Sequence, residues 1–202
     1  MMLNKKTMIG ITGNTGSGKS TVSEILKAQG VYTINADTVA HGLMEEGRPA
    51  HEAVMNQFGT VNRKQLAEIV FNDIAQRTLL ENILHPFVIE QILKEACNAT
   101  SNFIAIDAVL LVESNLHKHC KYIWLITAPK ADRLSRIIYR DGLTDEEANI
   151  RMRNQRDTAP VAEIAHALIY NDGDFDNLKS QIKTAWDIVR QGQVVSDTNH
   201  LG

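Results

Sequence analysis

Residues 8–12, Met-Ile-Gly-Ile-Thr, form a short apolar run leading into a glycine-rich stretch, the pattern of a buried strand. Over 19–29, Val22, Ile25 and Leu26 recur at helical spacing, and Gly30 stands where a helix stop belongs. Residues 31–34 give a second short strand, and Asp37-Thr38 beyond it can cap another helix. Strand, helix, strand, helix in this order predicts a parallel α/β sheet. From 38 to 98 strand patterning almost vanishes. Helical periodicity runs through 50–58, 63–71 and a long segment over 75–96 that Pro86 interrupts, which predicts a helical insertion packed against the sheet.

Strand patterns return at 103–107 and 122–127, the second closed by Ala128-Pro129. Leu134, Ile137 and Ile138 lay an apolar stripe along a helix over 130–140, followed by a charged helix over 145–155. A last short strand at 167–170 precedes Asn171-Asp172-Gly173. The helix over 175–190 then carries Leu178, Ile182, Ala185, Trp186 and Val189 on one face. Residues 191–202 are polar and read as a frayed tail. No internal repeat or low-complexity linker divides the chain.

Composition narrows the class. The 202 residues are 44% hydrophobic and 22% charged, as in a soluble globule that buries a full core as one domain over 1–202. Lys and Arg number 21 against 24 Asp and Glu, a net charge of −3, which argues against a nucleic-acid-coating protein. Cys97 and Cys120 show no paired spacing and predict neither a disulfide framework nor a thiolate zinc site; both read as small buried apolar residues in a reducing compartment. His41, His51, His117 and His119 lack carboxylate or cysteine spacing around them and read as solvated surface histidines. The polar start of the chain, residues 1–6, is too short for a signal peptide, and no apolar run approaches the ~20 residues of a membrane span. The chain therefore reads as cytoplasmic, with no membrane and no nucleic acid among its partners.

Gly13-Asn14-Thr15-Gly16-Ser17-Gly18-Lys19-Ser20, followed by Thr21, fits G-x-x-x-x-G-K-[ST] without a mismatch, after an apolar strand and before a helix. A loop that turns its backbone N–H groups toward phosphate oxygens needs glycine conformations, and the helix beyond aims its N-terminus at the same anion. Lys19 supplies a point charge for the β- and γ-phosphates, and the Ser20 hydroxyl is a hard oxygen for Mg²⁺. The pattern predicts a P-loop NTPase-type three-layer α/β fold that binds ATP and Mg²⁺.

The acceptor is harder to read. A GTPase would place Asn or Thr ahead of Lys130-Ala131-Asp132, where Pro129 stands, so guanine recognition is not supported. A small-molecule kinase fits better. Asp37 follows the second strand at the sheet edge that faces the ligand crevice. There it either orients an acceptor alcohol toward the γ-phosphate or merely caps a helix. Asp107 ends the third strand, where a carboxylate holds Mg²⁺ directly or through water, or closes a turn. Arg133, Arg136 and Arg140 lie on one helix. Arg136 and Arg140, four apart, share a face from which they can close over phosphates as a lid, or remain solvated.

Beyond these motifs the chain resembles the dephospho-coenzyme A kinase family over residues 8 to about 182. The resemblance rests on Ile11-Thr12-Gly13 entering the loop, Asn35-Ala36-Asp37 with Ala40-His41, Arg63-Lys64-Gln65-Leu66-Ala67-Glu68-Ile69-Val70-Phe71, and His85-Pro86-Phe87-Val88-Ile89. It continues in Asp107 with Leu110-Leu111-Val112-Glu113, Arg136, Arg140, Arg151 with Gln155, and Asn171-Asp172-Gly173. The resemblance implies transfer of the ATP γ-phosphate to the ribose 3′-hydroxyl of dephospho-coenzyme A. It implies that Asp37 is the catalytic base, with Lys19 and Arg140 acting beside it and Arg140 belonging to a lid over about 133–160. The helical region 38–98 would hold the acceptor, with His85 and Asp107 as contacts, and Asn171 would lie near the adenine of ATP. Asn35, Val109, Val161 and His166 depart from the family's usual Asp, Pro, Lys and Asp. The last two remove charges from the lid side, which predicts altered nucleotide contacts there. The expected assembly is a monomer or weak homo-oligomer. The alternatives are a nucleoside or nucleotide kinase of the same fold, and a non-catalytic ATP-binding regulatory protein.

Overall fold

The computed structural model describes residues 6–71 and 73–192, so most of the polar segments at both ends, residues 1–5 and 193–202, lie outside the described residues. A five-stranded sheet, every pairing parallel, runs β2 (Tyr32–Asn35), β3 (Phe103–Asp107), β1 (Thr7–Thr12), β4 (Tyr122–Thr127) and β5 (Ala167–Tyr170). Its strands are continuous apolar runs because helices cover both faces. On one face Ile9, Ile11, Trp124 and Ile126 pack with Val22 and Leu26 of α1 (Lys19–Ala28). Leu178, Ile182 and Trp186 complete that layer, and the helix over Phe175–Gln191 that carries them is α9, the last in the chain. On the other face Met8, Ile104, Ile106 and Leu125 meet Val88 and Ile92. Register places Asp107 opposite both Ile11 and Asn35, and Thr127 opposite Tyr170, so the carboxyl ends of the strands share one edge. That edge is where an open parallel sheet receives ligands.

The helical insertion comprises α2 (Ala36–Leu43), α3 (Pro49–Phe58), α4 (Arg63–Phe71) and α5 (Ile74–Asn98). Two local expectations change here. Pro86 does not interrupt α5, which runs 25 residues from an Asp73 cap whose carboxylate accepts from Gln76 N at 3.0 Å. Proline deprives only the carbonyl of Asn82 of its helical partner, and Asn82 is an exposed residue, so the cost of that lost bond is small. The α2 cap is Asn35, whose Oδ1 accepts from Thr38 N at 2.8 Å, so Asp37 sits in the first turn and is released from capping.

After β4 come α6 (Lys130–Asp141), α7 (Asp145–Arg153) and α8 (Ala159–Ile164). A capping box between Thr144 and Glu147 starts α7, which stops two residues short of the predicted 155. The helix α8 and a 3₁₀ turn at Leu116–His119 carry no sequence pattern that announced them. His166 is corrected. Its Nδ1 accepts from Ile123 N and its own N–H donates to Ile123 O at 2.7 Å, at the amino ends of β4 and β5, away from the nucleotide edge. Its exchange for a charged residue therefore bears on strand pairing and not on nucleotide contacts. Val161, by contrast, is buried on the cleft side. At the outer rim, Gln181 of α9 donates to Tyr170 O and accepts from Tyr170 N, both at 2.9 Å. Cys97 and Cys120 are unpaired and half-buried. No helix among the described residues is long and apolar enough to cross a membrane.

Candidate active site

The loop between β1 and α1 is fixed by what surrounds it. A Cβ on Gly13, at φ 142°, would lie 2.1 Å from Ile126 O, and one on Gly18, at φ 100°, would lie 2.0 Å from Asn171 Nδ2. Only glycine allows both the turn and this approach to β4 and the turn after β5. Lys19 Nζ donates to Gly13 O at 2.9 Å and Asn14 O at 3.4 Å, folding back along the loop. Burial lowers its pKa; the nearby carboxylates of Asp107 and Asp37 oppose that, while Arg140 and Arg133 reinforce it. Burial likewise raises the pKa of Asp107, opposed by Lys19 and reinforced by Asp37. Lys19, Asp37 and Asp107 thus occupy one electrostatic neighbourhood although they come from α1, α2 and β3. Ser20 and Thr21 stand exposed on the first turn of α1, and the Ser17 hydroxyl is buried without a partner among the described residues.

Three side chains brace this loop from the other half of the sheet. Arg133 Nε donates to Thr15 O at 3.2 Å, and its Nη2 reaches Gln155 Oε1. Arg136 donates to Gly16 O at 3.2 Å and to Asn171 O and Oδ1 at 3.2 and 3.3 Å. Asn171, 8% exposed, closes the circuit through Nδ2 to Ser17 O at 2.9 Å. Arg136 and Arg140 do not act as a pair here. Arg140 is exposed and donates through Nε and Nη2 to Asp141 at 2.7 and 2.8 Å, a carboxylate also taken by Arg151 at 2.6 Å. The sequence showed Arg133 only as part of a basic helix; its spacing of three from Arg136 signalled a shared helix face, not that the face meets the loop.

On the β2–β3 side a cavity of about 210 Å³ brings Asp37 and His85 together over a mainly apolar wall that includes Ala40, Leu84 and Val88, with Arg77, Glu81 and Ser114 among its polar members. Beside it a narrower cleft of about 160 Å³ runs from Thr12, Gly13 and Asn14 to Val161. Val109 lines both. Arg156 stands across the cleft, paired with both oxygens of Glu81 at 2.6 and 2.8 Å and with Glu113 at 3.6 Å. His85 titrates below the ordinary histidine range because burial disfavours its cation; Glu81 and Glu113 oppose this and Arg156 reinforces it. Arg156 and Glu81 are 75 residues apart, and nothing local in the sequence marks them as neighbours.

The donor set suits a hard cation. Among the described residues no group of three His, Cys, Asp or Glu forms a closed cage. Ser20 supplies a hydroxyl and Asp107 a carboxylate, oxygen donors of the kind Mg²⁺ takes when phosphates and water complete its shell.

The dephospho-CoA kinase family profile matches residues 7–177. The chain belongs to the dephospho-CoA kinase family. Members of this family catalyse the last step of coenzyme A synthesis, and the chain is an enzyme of the transferase class acting on a small molecule. A dephospho-CoA kinase from Shouchella clausii is 36% identical over 188 residues, covering 88% of this chain and 95% of the relative. Among solved structures, a Thermus thermophilus protein superposes with a TM-score of 0.76 at 27% identity, covering 94% of this chain and 98% of the other. Dephospho-CoA kinase from Campylobacter jejuni gives 0.65 at 27% identity, covering 94% and 100%. These matches favour neither a nucleoside kinase nor a non-catalytic ATP-binding protein.

Proposed function

We propose that this site transfers the γ-phosphate of ATP to the ribose 3′-hydroxyl of dephospho-CoA, giving ADP and coenzyme A. The observation that carries the reading is the Asp37–His85 cavity opening beside the phosphate loop, with Asp37 in the electrostatic field of Lys19 and Asp107. The triphosphate lies in the loop of residues 13–21, and Lys19 exchanges the Gly13 and Asn14 carbonyls for phosphate oxygens. Ser20, and Asp107 directly or through water, would hold Mg²⁺, which would supply neutralisation of charge on the phosphate oxygens.

Asp37 accepts a hydrogen bond from the 3′-hydroxyl and turns its oxygen in line with the γ-phosphorus. The new O–P bond forms as the bond to the β–γ bridging oxygen breaks, ADP leaves with that electron pair, and the hydroxyl proton passes to Asp37. An ordinary carboxylate suffices because the loose transition state lets the proton depart late, so orientation does most of the work. Residues 38–98 form the acceptor region, where His85 faces the acceptor from α5. Residues 133–160 form the lid, and its closure moves Arg140 from Asp141 onto the phosphates. Asn171 borders the adenine.

Steady-state assay with ATP against dephospho-CoA and a panel of nucleosides tests this reading. Asp37→Asn should lower kcat by about 100-fold or more with the KM for ATP nearly unchanged. Phosphate transfer to nucleosides alone, or an Asp37→Asn enzyme of undiminished kcat, contradicts the proposal.

A further inference from the structure

Three cavities meet at one side chain that no motif marks. Arg77, in the first turn of α5, lines the Asp37–His85 cavity, the cleft against Thr12–Asn14, and an open groove of about 530 Å³ between Phe71 on α4 and Ile150 on α7. The other guanidinium groups on these walls are already neutralised, Arg156 by Glu81 and Glu113 and Arg151 by Asp141. Glu81 lies four residues beyond Arg77, the spacing of a helix ion pair, yet both of its oxygens are given to Arg156. Arg77 itself is half-buried, donates to Phe71 O at 3.2 Å, and makes no ion pair among the described residues. A guanidinium that spends one donor on a carbonyl at an exposed site and pairs with no carboxylate among the described residues keeps its charge available to an arriving anion, and its planar fork suits phosphate.

The proposed acceptor has three parts in a fixed order: an adenosine bearing the reactive 3′-hydroxyl, a 5′-diphosphate, and a long amide-containing arm. The cavities have a matching order. The compact, mainly apolar cavity at Asp37 takes the nucleoside, Arg77 stands at its exit, and the groove beyond offers Phe71, Leu143 and Ile150 along an open course. Resting on the functional reading above, we infer that Arg77 is the residue that binds the acceptor's diphosphate and directs its arm across Phe71 toward α7. Arg77 is then a specificity residue, separating diphosphate-bearing acceptors from bare nucleosides, and not a catalytic one.

The test compares wild type, Arg77→Gln and Arg77→Lys with dephospho-CoA as acceptor and adenosine as a competing inhibitor. Arg77→Gln retains a donor for Phe71 O but loses the charge; it should raise the KM for dephospho-CoA by about 20-fold or more, with kcat and the KM for ATP within about twofold. Arg77→Lys should recover most of the loss, and the inhibition constant of adenosine, which lacks phosphate, should stay the same in all three. In the wild type alone, added salt should weaken dephospho-CoA capture more than adenosine inhibition, a measurement that needs no variant to fold. The inference is overturned if Arg77→Gln leaves the acceptor KM within twofold of wild type. It is equally overturned if adenosine inhibition weakens as much as dephospho-CoA capture, or if salt affects the two alike. A wild-type enzyme that turns over nucleosides and ignores dephospho-CoA overturns the functional reading and this inference together, whereas an active wild type with an indifferent Arg77 overturns this inference alone.

Discussion

Replacing Gly18 with alanine would set a methyl carbon 2.0 Å from Asn171 Nδ2, and that amide is not free to yield. Asn171 is buried and held at both ends, by Nδ2 to Ser17 O and by Oδ1 from Arg136. Expelling it loses a neutral hydrogen bond, about 1 kcal/mol, and a charged one of 3.3 Å, about 1.5 kcal/mol at that length. Forcing an L side chain to φ 100° adds about 1–2 kcal/mol. Gly18→Ala should therefore cost about 3.5–4.5 kcal/mol in urea unfolding, and Asn171→Ala about 2.5 kcal/mol through the same two bonds. The double variant loses those bonds only once, so it should resemble Gly18→Ala alone instead of the sum of about 6–7 kcal/mol. Calorimetric titration with ADP should follow the same ranking, because the displaced amide leaves Ser17 O in the phosphate loop without its donor and removes one of the three acceptors that hold Arg136 against the loop. Additivity of the two substitutions to within about 0.5 kcal/mol would refute the steric argument.

Asp107→Asn should raise the melting midpoint at neutral pH while lowering kcat by about tenfold or more. A carboxyl whose pKa is higher in the fold than in the unfolded chain binds its proton more tightly when folded, so the ionisation penalty is absent below about pH 3.9 and full above the raised value. The stability gain of Asp107→Asn should accordingly vanish as melts are taken down toward pH 3.5; a gain independent of pH contradicts the burial account. Arg156→Met leaves Glu81 and Glu113 facing His85 without their counter-charge, so the imidazole titration followed by NMR should move upward; an unchanged or lower midpoint opposes it. Burial pushes the Cys120 thiol up to about 12, so iodoacetamide at pH 8 should leave Cys120 unmodified in the folded protein, as read by peptide mass spectrometry.

The sheet and the phosphate loop were legible because their signals are local: apolar runs at 8–12, 103–107 and 122–127, and a glycine spacing set by backbone turns and contact with a phosphate. The strand at 167–170 and the helix at 63–71 fall where the pattern put them. Pro86 misled because its helical cost is small when the abandoned carbonyl belongs to an exposed residue and twelve residues on either side hold the helix. Asp37 was ambiguous between cap and acceptor-facing group; the capping alternative fell away because Asn35, two residues earlier, takes the amide of Thr38. The bracing of the loop by Arg133, Arg136 and Asn171 spans 118 to 154 residues of chain, a distance at which periodicity and spacing carry no information. Arg77 and Arg156 were unmarked for the same reason, since a surface arginine and a cleft arginine look alike until the chain has folded around them.

The side-chain amide of Gln181 mimics a sixth strand for one residue only. By occupying the outward N–H and C=O of Tyr170, it removes the rung from which a stranger's backbone would start to zip along β5, where Leu168 and Tyr170 show their apolar surface to solvent. One glutamine on a helix thereby blunts this end of the edge, and the strand keeps the apolar sequence it needs in order to form.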